Sequence, residues 1–245
     1  MDRLRSPGGC PWDRAQTIPS VAPFVLEEAY EVVDAIAGGE VGRVAEEAGD
    51  LLMVLFFLGR IAEESGPHSI GASAESVAAK LVRRHPHVFG DVKVSGVGDV
   101  LRNWETIKRE EKEGLEDRSA IAGVPAALPA LLRAFRTGEK AARVGFDWAD
   151  LEGAARKVEE EWAEFREAAS VGDPARIEEE LGDLLFAAAA CGRKAGANAE
   201  IALRRAVERF GARFRWLEAN APAPLGECDP ATLQELWRRS KGAEG

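Results

Sequence analysis

Four acidic segments occur in this chain as two pairs, and both pairs are separated by the same distance. Residues 27–31 read EEAYE and residues 160–164 read EEWAE; residues 46–50 read EEAGD and residues 179–183 read EELGD. The offset is 133 residues each time, and it also maps Leu51-Leu52 onto Leu184-Leu185, Trp104 onto Trp237 and Lys108 onto Lys241. Self-similarity at a fixed long period marks a duplicated structural unit. The 245 residues therefore divide into two related halves, 1–118 and 119–245, joined through a Gly- and charge-rich seam at about 113–125 that ends in Pro125. The basic residues drift slightly. Lys80 and Arg84 pair with Arg209 and Arg213 at an offset of 129, and the loop at 65–71 absorbs the difference.

Each half reads as helices. Val21, Val25, Ala29, Val32 and Ile36 recur at helical spacing over 20–37, as do Leu51, Val54, Leu55, Leu58 and Ile61 over 43–64. Gly38-Gly39 closes the first of these, so the two form a tight hairpin. Further helices are expected at about 72–84, ending before Pro86, and at 99–112. The second half repeats the plan at about 150–170, 174–195, 198–218 and 230–241. Asp173-Pro174 and Asp229-Pro230 each place a capping acid before a proline at the first helical position. The piece VKVSGV (92–97) reads as a strand. The fold class is all-α, two tandem four-helix-bundle-like repeats.

The acids border the apolar stripe rather than the opposite face. Glu28 lies between Val25 and Val32, and Glu31 follows three residues on, roughly 60° round the helix. Glu47 and Asp50 have the same spacing and lead into the row Leu51, Val54, Leu58 and Ile61. The second half repeats this with Glu161, Glu164, Glu180 and Asp183. Carboxylates crowded near a bundle interior are costly unless a cation, a basic side chain or water offsets them. An all-oxygen donor set points to a hard metal, Mg²⁺ or Mn²⁺. It points away from a di-iron centre, since His68, His85 and His87 all lie in the first half. A single such pair is ordinarily a solvated helix face; two pairs repeated at one offset are not.

With 32 Lys+Arg against 42 Asp+Glu the net charge is −10. That disfavours coating a nucleic-acid polymer or an anionic membrane, but an anionic ligand remains open if it arrives with a cation. The longest apolar run, 51–58, is too short to span a bilayer. Cys10, Cys191 and Cys228 are odd in number and widely spaced, which fits a reducing cytoplasm. Trp12 and Trp148 read as packing residues. His85 and His87, flanking Pro86 after Arg83-Arg84, read equally as a basic phosphate-binding cluster or as a helix stop.

The chain resembles the MazG family of nucleoside triphosphate pyrophosphohydrolases in its two-domain form. The residues that carry the likeness are GCPWD (9–13) with Gln16-Thr17, LEEAYEVVDAI (26–36), EEAGDLL (46–52), RRHPHVFGD (83–91), NWETIK (103–108), VGFDW (144–148), EELGDLLFA (179–187) and ELW with Lys241. The resemblance implies Mg²⁺-dependent cleavage of nucleoside triphosphates to a monophosphate and pyrophosphate, broad base tolerance and a homodimer. It implies Glu161, Glu164, Glu180 and Asp183 as metal ligands, with Glu28, Glu31, Glu47 and Asp50 as their counterparts in the first repeat. Glu160 and Glu179 would complete the acidic shell or, with Glu161, handle the attacking water. Lys157, Arg209 and Arg213 would hold phosphates, and Trp237 would lie near the nucleotide. Two departures stand out: Phe24 occupies the position of Lys157 in the first repeat, and Val207 replaces the family's usual Asn. The first favours the second repeat as the triphosphate site. Other readings are a metal- and nucleotide-binding regulatory module without turnover, a duplicated scaffold with solvated acids, or a narrower dUTP-type or damaged-nucleotide pyrophosphatase. A helical hairpin alone covers its own apolar faces poorly, so pairing with another hairpin, in this chain or a second one, is expected.

Overall fold

The computed structural model describes residues 1–111 and 119–242. Among them there are helices and no strands. In chain order they are α1 (Asp2–Arg5), α2 (Pro11–Ala15), α3 (Ile18–Gly38), α4 (Val41–Ser65), α5 (Ile70–Arg84), α6 (Pro86–Phe89), α7 (Val97–Glu110), α8 (Ala130–Arg143), α9 (Leu151–Val171), α10 (Pro174–Lys194), α11 (Ala199–Asn220) and α12 (Pro230–Ser240), with a 3₁₀ turn at Leu225–Glu227. The chain separates into two compact units, Met1–Gly114 and Leu115–Gly245. The expected seam at 113–125 lies partly outside the described residues.

In the first unit α3 and α4 form the central hairpin. Thr17 and Ser20 cap α3 reciprocally, and Gly39, at φ 74°, ends it in the left-handed conformation that glycine adopts without penalty. Val21, Val54, Phe57 and Ile61 form the core, with Met1, Phe24, Val25 and Leu58 against it. Ser69 caps α5, which stops at His85 because the residue before Pro86 is pushed out of the α region. The expected strand at 92–97 is absent. The Ser95 N–H donates to Asp99 Oδ2 at 2.8 Å, which turns the chain into α7, and an isolated three-residue alternation has no edge to pair with.

The N-terminal residues are strapped across the end of α4 by Arg5, whose side chain is only 5% exposed. Its Nε and Nη2 donate to the two oxygens of Glu64 at 2.9 and 2.7 Å, and its Nη1 donates to the Asp13 and Gln16 carbonyls. The guanidinium also lies 5.5 Å from the Phe57 ring centre.

The second unit repeats the hairpin with α9 and α10. Its buried apolar residues on these helices are small: Ala154 and Ala168 on α9, and Ala187, Ala189 and Ala190 on α10. Asp173 and Asp229 cap α10 and α12 as their Asp-Pro pairs predict. Helix α8 was not foreseen from sequence. Its apolar stripe is pronounced, with Leu131, Leu132 and Phe135 partly buried; Lys140, 9% exposed, donates to the Ala122 carbonyl, and Gly138 faces Arg193. The turn after α8 is held by Asp147, which accepts from Arg193 and lies 2.9 Å from Lys194.

Gly9 explains part of the GCPWD motif. A Cβ there would fall within 3 Å of the Leu4 and Arg3 carbonyl oxygens, both backbone atoms that cannot swing aside. Gly9→Ala is expected to loosen the N-terminal strap and cost about 1–3 kcal/mol, as overpacked sites do. Calorimetry should show a melting temperature lower by several degrees; an unchanged Tm would mean the strap adds nothing to stability.

Candidate active site

The hairpin geometry brings most of the sequence-selected acids together. Glu161 is buried at 5% exposure on α9, a rare placement for a carboxylate. Oxygens of Glu160, Glu161 and Glu164 lie within 4.8 Å of one another, and so do those of Glu161, Glu180 and Asp183. The two groups share Glu161, so four carboxylates from α9 and α10 surround one buried acid. Glu179 is exposed and belongs to neither group.

The first unit holds a similar cluster on α3 and α4. Glu28, Glu31 and Glu47 present oxygens within 4.8 Å of one another. Asp50 is outside that set but close enough for its charge to act on Glu28. Glu28 Oε2 is buried without a hydrogen-bond partner.

Crowding shows in proton affinity. Desolvation first, then the charges of Glu31, Asp50, Glu27 and Glu47, pushes the Glu28 carboxyl above its ordinary range. Glu31 is raised by desolvation, by Glu47 and Glu27, and by a hydrogen bond with Glu47. Glu164 is raised by desolvation and then by Glu161 and Glu180.

Basic side chains offset part of this charge. Lys157 Nζ lies 2.6 Å from both Glu160 Oε1 and Glu161 Oε1, and these partners hold the ammonium above its usual range. On α10, Arg176 Nε lies 3.5 Å from Glu180 Oε1 and its Nη2 3.5 Å from Glu167 Oε2. Sequence reasoning missed Arg176. The signal was available, because the 133-residue offset maps Arg43 onto it, and Arg43 Nε donates to Glu47 Oε1 at 3.2 Å. At the Lys157 position the first unit has Phe24, packed against its core and tilted against Trp12 with ring centres 5.8 Å apart. Trp12 is still 56% exposed, and Trp148 is half-buried.

The remaining substrate-binding candidates lie on α11 and α12. Arg209 is exposed and Arg213 half-buried, one turn apart on α11. Trp237 of α12 tilts against Phe210 at 5.1 Å, and Phe210 stacks on Phe214 at 5.9 Å. Val207 is 62% exposed.

A buried carboxylate ringed by others, with only oxygen donors, suits a hard divalent cation, and the raised proton affinity of Glu164 reports the same need for positive charge. An all-α helical hairpin carrying a carboxylate cluster from two adjacent helices is the class that the fold and the site define. Comparison with known proteins gives the family. The model of the MazG nucleotide pyrophosphohydrolase domain matches residues 16–89 and 150–216. The chain is 42% identical over 250 residues to the nucleoside triphosphate pyrophosphohydrolase of Escherichia coli K12, covering all of this chain and 95% of that protein. It is 41% identical over 247 residues to the nucleoside triphosphate pyrophosphohydrolase/pyrophosphatase MazG of Thermotoga maritima, covering all of this chain and 94% of that protein. An uncharacterised Bacillus subtilis protein, YabN, is 38% identical over 245 residues, half of its own length. The chain belongs to the MazG family. Among its described residues no helix is long and apolar enough to cross a membrane.

A carboxyl with a raised folded-state pKa destabilises the fold once pH rises through the ordinary glutamate range, and not below it. In EDTA, Glu164→Gln should therefore raise the Tm at pH 7.5 and leave it unchanged well below pH 4. Mg²⁺ should raise the wild-type Tm at pH 7.5 and have less effect on the variant. A Tm at pH 7.5 that Glu164→Gln leaves unmoved would contradict the crowding.

Proposed function

We propose that this chain is a Mg²⁺-dependent nucleoside triphosphate pyrophosphohydrolase that splits the α–β phosphoanhydride to a monophosphate and pyrophosphate. The observation that carries the reading is the buried Glu161, ringed by Glu164, Glu180 and Asp183, with Lys157 held one turn away. Those four acids would hold Mg²⁺, with Mn²⁺ as substitute. When bound, the cation supplies positive charge to the phosphate oxygens and to the leaving pyrophosphate.

The protein side of the chemistry follows from the residues. Lys157 rests on Glu160 and Glu161 and is within reach of an incoming phosphate. Transfer of its ammonium to the substrate frees Glu160, which is exposed and can orient a water and accept its proton. Arg209 and Arg213 offer forked donors for phosphate oxygens, and Arg176 sits on Glu180 ready for the same exchange. Glu179 keeps a peripheral place. Trp237 offers a ring face rather than a hydrogen-bonding edge, which supports broad base tolerance, since every base has such a face.

The first unit reads differently. Glu28, Glu31, Glu47 and Asp50 can hold a cation, but Phe24 supplies no charge for a phosphate. That favours metal or nucleotide binding without turnover there, and hydrolysis in the second repeat.

We also place the chain in a homodimer in the cytoplasm. Leu26, Leu52, Met53 and Phe56 on the first hairpin, and Trp162, Leu185 and Phe186 on the second, are 43–60% exposed, an apolar surface that a second hairpin would cover. The cysteines are free thiols, which suits a reducing compartment. The seam at about 113–125 supports a boundary between repeats at 118/119.

With a panel of NTPs and dNTPs, pyrophosphate release should require Mg²⁺ and stop in EDTA. Asp183→Ala should lower kcat/KM by about a hundredfold or more, whereas Asp50→Ala should leave most of it. Full activity in Asp183→Ala would overturn the choice of repeat, and release of phosphate instead of pyrophosphate would overturn the reaction. Light scattering at micromolar concentration should give twice the 26.4 kDa chain mass; a monomer would count against the pairing.

A further inference from the structure

Helix α4 has two apolar faces. Val54, Phe57 and Ile61 belong to the core. Leu52, Met53 and Phe56 lie roughly a third of a turn round the helix and are 50–54% exposed. Together with Gly49, Arg60, Met1 and Asp2 they line a groove of about 550 Å³.

In the second unit the corresponding face carries a helix. The 133-residue offset maps Gly49, Leu52, Met53, Phe56 and Arg60 onto Gly182, Leu185, Phe186, Ala189 and Arg193. There α8 packs along α10, its Gly138 meets Arg193, and Ala189 has no exposed surface. Helix α8 is 14 residues long and leads into VGFDW. Helix α1 stands in the same place ahead of GCPWD, but it is 4 residues long and begins without a side-chain cap.

The direction of α1 fits the groove. Arg5 donates to Glu64 at 2.9 and 2.7 Å, and Asp2 lies 2.5 Å from Arg60 Nε. Three residues back along α1 therefore match four residues back along α4. Further turns on the same line fall over Phe56, Met53 and Leu52 and reach Gly49, where a Cβ would meet nothing within 4 Å. From Arg60 back to Gly49 the helix rises about 16 Å, three turns. That is close to the length by which α8 exceeds α1.

We propose that this groove is the seat of an amphipathic helix of about three turns that continues α1 upstream of Met1, the first unit's counterpart of α8. Its apolar side chains, at helical spacing, rest on Phe56, Met53 and Leu52, and its polar face is turned to solvent. Leu185 and Phe186 are still 46% and 43% exposed beside α8, so a seated helix and a second hairpin can share such a face. The proposal does not depend on hydrolysis.

The test adds about ten residues ahead of Met1 of the full chain, in two forms of one composition. In one form Leu and Ala stand at the groove-facing positions of a helix in register with α1; in the other the order is scrambled. By calorimetry the patterned form should raise the Tm by about 5 °C or more, and the scrambled form should not. Phe56→Asp, at a half-exposed position, should change the Tm of the unextended chain little and should remove the gain of the patterned form. Met53→Asp serves if Phe56→Asp fails to fold. Equal Tm in the two extended forms, or a gain that survives both substitutions, would overturn the proposal. So would an unextended chain that is a dimer by light scattering and becomes a monomer with Phe56→Asp, since a second copy would then fill the groove.

Discussion

The structure depends on keeping like charges close together. Each hairpin sets carboxylates from two helices at the edge of its apolar stripe, within 4.8 Å of one another. Helix propensity and burial do not ask for this: both would place Glu161 on the outer face. The cost is visible in Glu28, Glu31 and Glu164, whose protons are held more tightly than usual, and in the unpartnered Glu28 Oε2. A fold that carries such a penalty twice has its compensation outside the apolar core. Within the chain, part of it comes from Lys157, Arg43 and Arg176, each set three or four residues from an acid on its own helix. A cation of higher charge density would displace these side chains and leave them free to meet an anion.

The rest of each unit holds the hairpin still. In the second unit α9 and α10 pack as an antiparallel pair whose buried residues are mostly alanine, and the acids project from these two helices. At the far end of both hairpins an arginine pairs with an acid from the preceding segment: Arg60 with Asp2, and Arg193 with Asp147. The 133-residue offset relates these two arginines. Their partners do not correspond, since Asp2 and Asp147 lie 145 residues apart, so the duplication has kept the arginine at the end of the hairpin while the acid that meets it differs.

Most of this was legible in the sequence, for physical reasons that differ by element. The long helices carry strong apolar periodicity and explicit caps, so Thr17, Asp173 and Asp229 mark where they start. The acid clusters were legible because they repeat. What escaped has several causes. Helix α8 was missed although its apolar stripe is pronounced; only the contact of its buried Lys140 with the Ala122 carbonyl lacks a local signature. The strand expected at 92–97 failed because alternation over three residues cannot outweigh a side-chain hydrogen bond that starts a helix. Glu111 was invisible as a partner of Arg83 and Arg84, since 27 residues and a change of helix separate them. Glu179 shows the limit of motif transfer: its neighbour Glu180 faces the cluster, and one residue round the helix, roughly 100°, is enough to leave it in solvent.

Beside the acids the two hairpins differ at one telling position, an ammonium in one and a phenyl ring in the other. Lys157 and Phe24 occupy corresponding places one turn before the first acid pair. An ammonium there must stay at the surface of the hairpin, where it is 35% exposed and attached to Glu160 and Glu161. A phenyl ring turns inward, and Phe24 joins Val21, Val54 and Phe57 while Trp12 tilts over it. The first half thereby gains core contacts and has no cation at this place. Its second basic feature, Arg83-Arg84, is already engaged by Glu111. A duplicated acidic hairpin can diverge this way without disturbing its carboxylates, because the cluster is set by the helix register and the residue one turn away is not part of it.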